Sequence, residues 1–393
     1  MKVKGGGPGI DGQTIEGFEE NLKDNLYKIW NRMSSGSYFP QAVRKCEIPK
    51  EGGKVRVLGI PTVSDRVAQM VATMRLEPEV EPHFHKDSYG YRPKKSAVEA
   101  VGKARERCWK YNWVIDLDIQ GYFDAIDHQK MLELVRRHTQ EKWILLYVER
   151  WLKAPTETAD GGREARTRGT PQGGVISPLL ANIYLHHAFD VWMRDEFGSL
   201  PFERYADDII VHCLTEKQAR YVLGRIRQRL DEWGLTLHLE KTKIVCCQDD
   251  NRKGGHPHTK FTFLGYEFRQ RMVRNAQKGN LFVGFTPALS PEAQKEIRHT
   301  IRSWRLGVRT PMTLEAIAEM VNPALRGWIN YYGRYNRSAL GPVFRQLDLS
   351  LAKWAMRKYK RHHRRVVHAL TWLNALARER PVLAHWQWRL NSV

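Results

Sequence analysis

The spacing of apolar positions changes period several times along this chain, and the changes mark out its elements. Residues 16–33 carry a helical spacing. Residues 46–60 alternate apolar with basic. Cys46-Glu47-Ile48-Pro49-Lys50 and Val55-Arg56-Val57-Leu58 flank Glu51-Gly52-Gly53-Lys54, which predicts a hairpin. Trp113-Val114-Ile115-Asp116-Leu117-Asp118 predicts a mostly buried strand with Asp116 and Asp118 on one face. Asp124 and Asp127 follow where the pattern turns helical. After the polar stretch 156–174, Ser177-Pro178 predicts an N-cap with proline at the first helical position. Phe202–Val211 reads as two short strands around Tyr205-Ala206-Asp207-Asp208. Thr215-Glu216-Lys217-Gln218 then opens a helix that Gly234 ends. Strand spacing returns over Leu235–Val245 and Phe261–Tyr266. From Ser290-Pro291 onward only helical spacing is seen. This order of strands and helices predicts an α+β fold, helices packed on an antiparallel sheet, followed by an all-α region.

A chain of 393 residues has room for two or three domains. The Gly-rich start, Met1 to Gly12, lacks the Gly-Lys-Ser/Thr ending of a phosphate loop and reads as a flexible surface segment. Charge changes the picture more. Lys and Arg number 64 against 43 Asp and Glu, a net +21, which favours a polyanionic partner, nucleic acid above all. A basic membrane-surface protein is the weaker reading, because no basic amphipathic anchor and no spanning run is present. Residues 291–393 hold 19 Lys and Arg against 6 Asp and Glu, so +13 of the surplus lies there, with six of the 13 Trp. The run Lys353–Arg365 interleaves aromatics with bases. It reads either as a solvated basic helix with Trp in its core or, as the asymmetry favours, a nucleic-acid surface. Five scattered cysteines and no signal peptide point to reduced thiols in the cytoplasm. Adjacent Cys246 and Cys247, with His256 and His258, do not match zinc-ligand spacing.

Two adjacent carboxylates at a turn are most often just a turn. Burying Asp116 and Asp118 among apolar residues, however, demands partners or a metal. Adjacent strands lie about 5 Å apart, so a hairpin beside the Asp118 strand brings Asp118, Asp207 and Asp208 within reach of a metal pair about 4 Å apart. Such a pair suits phosphoryl transfer. Lys50 and Arg56 are either solvated hairpin charges or a triphosphate clamp.

Taken together, the motifs resemble reverse transcriptases of the group II intron family, the intron-encoded maturases. The resemblance runs collinearly from Gly9-Ile10-Asp11-Gly12 to His385-Trp386. It passes through Leu58–Arg66, Ser88-Tyr89-Gly90-Tyr91-Arg92-Pro93, Asp118 with Tyr122-Phe123-Asp124, Thr170–Pro178, Tyr205-Ala206-Asp207-Asp208, Gly234-Leu235 with Glu240-Lys241-Thr242, Phe263-Leu264-Gly265-Tyr266 and Leu325–Tyr332. It implies a right-hand polymerase with fingers and palm over 1–285 and a basic helical thumb, or maturase X domain, over 286–393. It implies RNA-directed DNA synthesis with two Mg²⁺ ions (Mn²⁺ as a substitute), an RNA template, a DNA primer, dNTPs and group II intron RNA as partners. By matching position, Asp118, Asp207, Asp208 and the Ile119 carbonyl hold metal. Lys50 and Arg56 contact the triphosphate, and Phe123 excludes a ribose 2′-OH. Gln172 lies under the incoming nucleotide, and Lys241 protonates pyrophosphate, with Lys243 close enough to compete for that role. The helical extension that usually precedes the Gly-rich loop and a C-terminal His-Asn-His endonuclease are both expected to be lacking. Oligomeric state stays open, a dimer included. The alternatives are an RNA-binding splicing maturase without polymerase activity and a host-recruited reverse transcriptase used in DNA repair.

Overall fold

The computed structural model describes residues 6–49, 55–158, 161–252, 254–274 and 279–390. They fall into two compact units, Met1–Ala100 with Ile115–Ile244, and Val101–Val114 with Val245–Val393. The fold is mixed α and β, with largely antiparallel sheets and a helical C-terminal region, in keeping with the right-hand polymerase class. Among the described residues no helix is long and apolar enough to cross a membrane.

In the first unit, β1 (Val43–Pro49) and β2 (Val55–Ile60) form the expected antiparallel hairpin, with Ile48 opposite Arg56. Next come β3 (Trp113–Asp118) and the short strands β4 (Thr156–Glu157) and β5 (Arg163–Glu164). A second sheet has the order β6 (Phe202–Tyr205), β7 (Asp208–Cys213), β3, β8 (Lys243–Cys246). β3 occupies the predicted residues; β8 is shorter than the Leu235–Val245 reading, because Gly234 leads into a loop held to β3 by an isolated Ile119–Leu237 bridge. The helices Val63–Val80, His128–His138 and Ser177–Leu185 pack together, burying Ala68, Leu76, Met131, Leu180 and Ile183.

Two local expectations are corrected. Ser177 is not the N-cap: the cap position is Ile176, and the Ser177 hydroxyl is bonded to Thr170 Oγ1 at 2.8 Å. The described part of the Gly-rich start is docked rather than a free surface segment. Arg66 Nη2 donates to the Gly7 carbonyl at 2.6 Å, and a Cβ at buried Gly9 would lie 2.6 Å from Thr62 Cα.

A histidine cluster joins three elements of this unit. His138 Nε2 and His187 Nε2 lie 2.9 Å apart, with His83 and His186 in ring contact on either side. Burial, then the neighbouring histidines and Arg137, push both His138 and His187 down to about 4, while Asp190 pulls His187 the other way. An imidazole with a depressed folded-state pKa takes up its proton more readily when unfolded. Stability therefore falls as pH drops from about 6.5, the unfolded value, toward about 4. Both rings are partly exposed, so screening shrinks the effect. Melting temperature should fall from pH 7.5 to pH 5, and His138→Gln should flatten that slope; an unchanged slope would remove this assignment.

The second unit contains β9 (Lys260–Phe263), β10 (Tyr266–Arg274) and β11 (Leu281–Leu289), then the helices Pro291–Ser303, Leu314–Tyr332, Gly341–Lys358, Val366–Glu379 and Ala384–Leu390. Ser290 caps the first of these, accepting from Ala293 N at 3.1 Å. Ile297, Ile301, Ile317, Val321, Leu325, Phe344, Leu347 and Leu351 recur at helical spacing and fill one core. Two sequence motifs meet at the β9–β10 turn. Tyr331 donates to the Leu264 carbonyl at 2.8 Å, and Tyr266 donates to the Tyr331 carbonyl. Gly265 has φ +75°, and a Cβ there would sit 2.9 Å from the Tyr332 hydroxyl. Gly265→Ala should cost about 1–2 kcal/mol from the left-handed backbone, before any clash. Chemical denaturation would check this, and a loss within error would show that the turn relaxes freely.

The basic, aromatic-interleaved run separates by side. Trp354 is fully buried, whereas Arg361, His363, Arg364 and Arg365 are exposed. Lys358 and Tyr359 are half-buried, Lys358 donating to the Thr310 and Met312 carbonyls at 2.9 and 2.8 Å, and Arg361 lies over the Tyr359 and Trp372 rings.

Candidate active site

The Asp207–Asp208 pair sits on the tightest hairpin of the first unit. Tyr205 opposes Asp208 across β6 and β7, so Ala206 and Asp207 form the whole turn. Ala206 takes the left-handed conformation, φ +58°. Ile209, Ile210 and Val211 are fully buried and anchor β7, while Asp207 and Asp208 remain partly exposed. β7, which starts at Asp208, is hydrogen-bonded to β3, which ends at Asp118.

Asp118 is already engaged. Lys241 Nζ lies 2.8 Å from its Oδ2, and its amide donates to Thr242 Oγ1 at 3.3 Å. Beyond it, Gln120 N donates to Thr236 O and His238 N to Asp118 O, both at 2.8 Å. Those bonds flank Ile119, so its own amide and carbonyl point away from Leu237. Asp116, on the same face of β3, is pushed up to about 7 by burial, with Asp118 adding to the shift and Lys243 opposing it. The two lysines thus act on different carboxylates.

Phe123 lies on the short Tyr122–Ala125 helix, almost fully buried. Its carbonyl accepts from Thr170 N at 2.8 Å, and Ile126 O accepts from Gly169 N at 2.7 Å. Gly169, at φ +79°, has no room for a Cβ, which would lie 2.8 Å from Asp124 Cα. The other end of this loop reaches β2, where Gly59 N donates to Gln172 O at 2.9 Å. One loop therefore joins Phe123, Gln172 and the strand that carries Arg56. Lys50 lies outside the described residues, and of Arg56 only the backbone is described. Among the described residues no group of three or more His, Cys, Asp or Glu side chains is arranged to hold a metal ion.

A buried polar network under the turn escaped the sequence reading. Arg204 and Asp190, both fully buried, pair through Nε–Oδ1 at 2.7 Å and Nη2–Oδ2 at 2.6 Å. Arg204 Nη1 also donates to Asn182 Oδ1 at 3.0 Å and to the Ala206 carbonyl at 3.2 Å. Asp190 is held below the usual carboxylate range: burial opposes this, and Arg204 and His186 together outweigh it. One signal was available. Glu203-Arg204 places two consecutive charges inside a strand, where alternation would expose only one of them.

Known proteins extend this picture. Residues 48–268 match the family described as reverse transcriptase (RNA-dependent DNA polymerase), and residues 294–371 match the group II intron maturase-specific domain. Protein YkfC of Escherichia coli K12 is 31% identical over 309 residues, spanning 68% of this chain and 77% of YkfC. Group II intron-encoded protein LtrA of Lactococcus lactis subsp. cremoris is 37% identical over 180 residues, 45% of this chain and only 29% of LtrA. A solved apo telomerase from Candida tropicalis aligns at TM-score 0.45 and 14% identity, over 65% of this chain and 60% of that one. With a reverse transcriptase match over more than half its length and a maturase-specific match beyond it, this chain belongs to the group II intron reverse transcriptase and maturase family.

Proposed function

We propose that this chain is an RNA-directed DNA polymerase that also binds group II intron RNA. The observation that carries the reading is that Asp118, the last residue of β3, and Asp208, the first of β7, lie on neighbouring hydrogen-bonded strands of one sheet, with Asp207 in the adjoining turn. All three are hard carboxylate oxygens, a donor set that fits Mg²⁺ or Mn²⁺. The Ile119 carbonyl is a fourth oxygen, left unused by the bridge to Leu237. An ammonium, that of Lys241, already rests against Asp118. Lys241 is half-exposed and free to swing aside. When bound, a pair of divalent ions there supplies charge neutralisation and activation of the attacking hydroxyl.

The chain's own residues supply the rest. Asp207 and Asp208 fix where the cations sit, because a two-residue turn leaves them little freedom. Lys241, displaced from Asp118, is placed to give a proton to departing pyrophosphate, a role for which Lys243 also competes. Lys50 and Arg56 contact the triphosphate from the β1–β2 hairpin. Gln172 lies in the loop under the incoming nucleotide. Phe123 is held by the loop at Thr170, so its ring is a firm wall against a ribose 2′-OH. The exposed cations of the C-terminal helices hold intron RNA through phosphate contacts.

Primer extension tests the reading: a DNA primer on an RNA template, dNTPs, and Mg²⁺ or Mn²⁺. Metal-dependent incorporation is expected. Intron RNA binding that weakens steeply with salt, together with no incorporation under either metal, would instead make the chain a splicing cofactor. Phe123→Ala should raise the ratio of ribonucleotide to deoxynucleotide incorporation by about tenfold or more, since a steric wall is removed and no polar contact is lost. An unchanged ratio would take the discriminating role away from Phe123.

A further inference from the structure

The Arg204–Asp190 pair is an expensive way to fill a core. Two buried charges pay a desolvation penalty, and apolar side chains of similar volume often stabilise a fold as well or better. An apolar pair could not hold the turn. Asp190 occupies Nε and Nη2 of the guanidinium and so fixes its plane. Nη1 is thereby aimed at the Ala206 carbonyl, 3.2 Å away, and at Asn182 Oδ1, 3.0 Å away. Asn182 Nδ2 in turn donates to the Gly90 carbonyl at 2.7 Å. Gly90 closes the other side, where a Cβ would lie 2.4 Å from Ala206 N. The strand is tied down by its backbone as well: Arg204 N donates to Asp87 O at 3.0 Å, and Tyr89 N to Arg204 O at 2.8 Å. Arg92 locks that segment through the carbonyls of His85 and Ser88, at 2.6 and 2.7 Å. Asp190 itself belongs to one π-helical turn, His186–Asp190, a distortion frequent at functional sites.

We propose that Arg204, oriented by Asp190, is a positioning residue that sets the Ala206–Asp207 turn and with it the spacing of the metal-binding carboxylates. This rests on the reading of Asp207 and Asp208 as metal ligands. Arg204 acts on the turn through the Ala206 carbonyl. Lysine at 204 keeps a charge for Asp190 but has no fork to reach the turn at the same time. The double replacement Arg204→Met with Asp190→Leu removes the clamp while leaving no charge orphaned.

The test measures four quantities in the full chain: melting temperature, the Mg²⁺ concentration giving half of the Mg²⁺-induced rise in melting temperature, kcat and KM for dNTP. Arg204→Lys and the Met/Leu double variant should lower kcat by about 10²-fold, the scale of a misplaced reacting group, with KM for dNTP little changed. Both should need more Mg²⁺ for the half-maximal melting shift. The double variant should do so while melting close to wild type, which a purely structural role does not explain. Gly90→Ala pushes on the same turn from the opposite side without touching the ion pair, and it should show the same signature. If the Arg204 variants fold poorly, Gly90→Ala decides. Folded variants with wild-type kcat and wild-type Mg²⁺ response overturn the proposal. Asp207→Ala and Asp208→Ala run alongside: wild-type activity in those would sink the carboxylate reading itself. Their inactivity beside normal Arg204 and Gly90 variants would sink only the positioning role.

Discussion

Asp207→Ala and Asp208→Ala are each expected to lower dNTP incorporation by on the order of 10³-fold or more, the scale of losing one group that stabilises charge in the transition state. The loss should appear in kcat. Neither side chain belongs to the apolar core, and both are partly exposed. Melting temperature without Mg²⁺ should therefore change far less than activity does. The Mg²⁺-induced rise in melting temperature should shrink in both variants, which separates lost cation binding from a lost fold. Asp118→Ala should share the activity loss. It also frees Lys241, at little cost in stability, because the pair they form is largely solvated. Full incorporation by any of these variants would show that the hairpin is an ordinary turn and that the chemistry lies elsewhere.

Local rules made much of this site legible. Strand β3 and its two same-face aspartates follow from a period of two over six residues, and the β6–β7 turn from polar residues between apolar runs. The stop at Gly234 is equally local, because φ +71° suits glycine. What stayed hidden depends on contacts distant in sequence. Asn182 meets Gly90 across 92 positions, and Arg66 meets Gly7 across 59. No periodicity reports such pairings. The mistaken cap at Ser177 is of the same kind: a tertiary partner, Thr170, took the hydroxyl that local chemistry assigned to the helix end. Composition left two readings of the Lys353–Arg365 run open; the helix sends Trp354 into the core, while Arg364 and Arg365, beyond its end, are exposed, which suits a solvated or a nucleic-acid-facing surface alike.

In the second unit, Asp348→Ala should cost about 3–5 kcal/mol of stability, the range for breaking a buried ion pair from one side. Asp348 is mostly buried, and three donors converge on it. His385 Nε2 lies 2.8 Å and Trp386 Nε1 3.3 Å from Oδ1, and Arg389 Nη1 lies 2.6 Å from Oδ2. These bonds fasten the Ala384–Leu390 helix to the Gly341–Lys358 helix, so alanine releases one helix from the other and leaves a fully buried imidazole without its acceptor. Asp348→Asn keeps one acceptor oxygen but turns an amide toward Arg389, and should cost less than alanine. Acid acts on the same joint. Burial works against the Asp348 carboxylate, but the His385 bond and the charges of His385 and Arg389 hold its pKa below the usual range. Its stabilisation is thus complete above the unfolded value of about 3.9 and is lost as pH falls through the lower folded one. Burial also depresses His385, so protonating it in the unfolded chain weakens the fold from about pH 6.5 downward. The two effects have the same sign. The wild-type unit should lose stability continuously on acidification, and His385→Gln should remove the upper part of that loss. Asp348 also lies within residues 294–371, the maturase-specific match, so on the proposed function intron RNA binding should fall along with folding. An Asp348→Ala chain that melts like wild type would show that Arg389 and His385 find water or other acceptors, and that apolar packing with the Asn322 and Arg337 bonds holds the last helix.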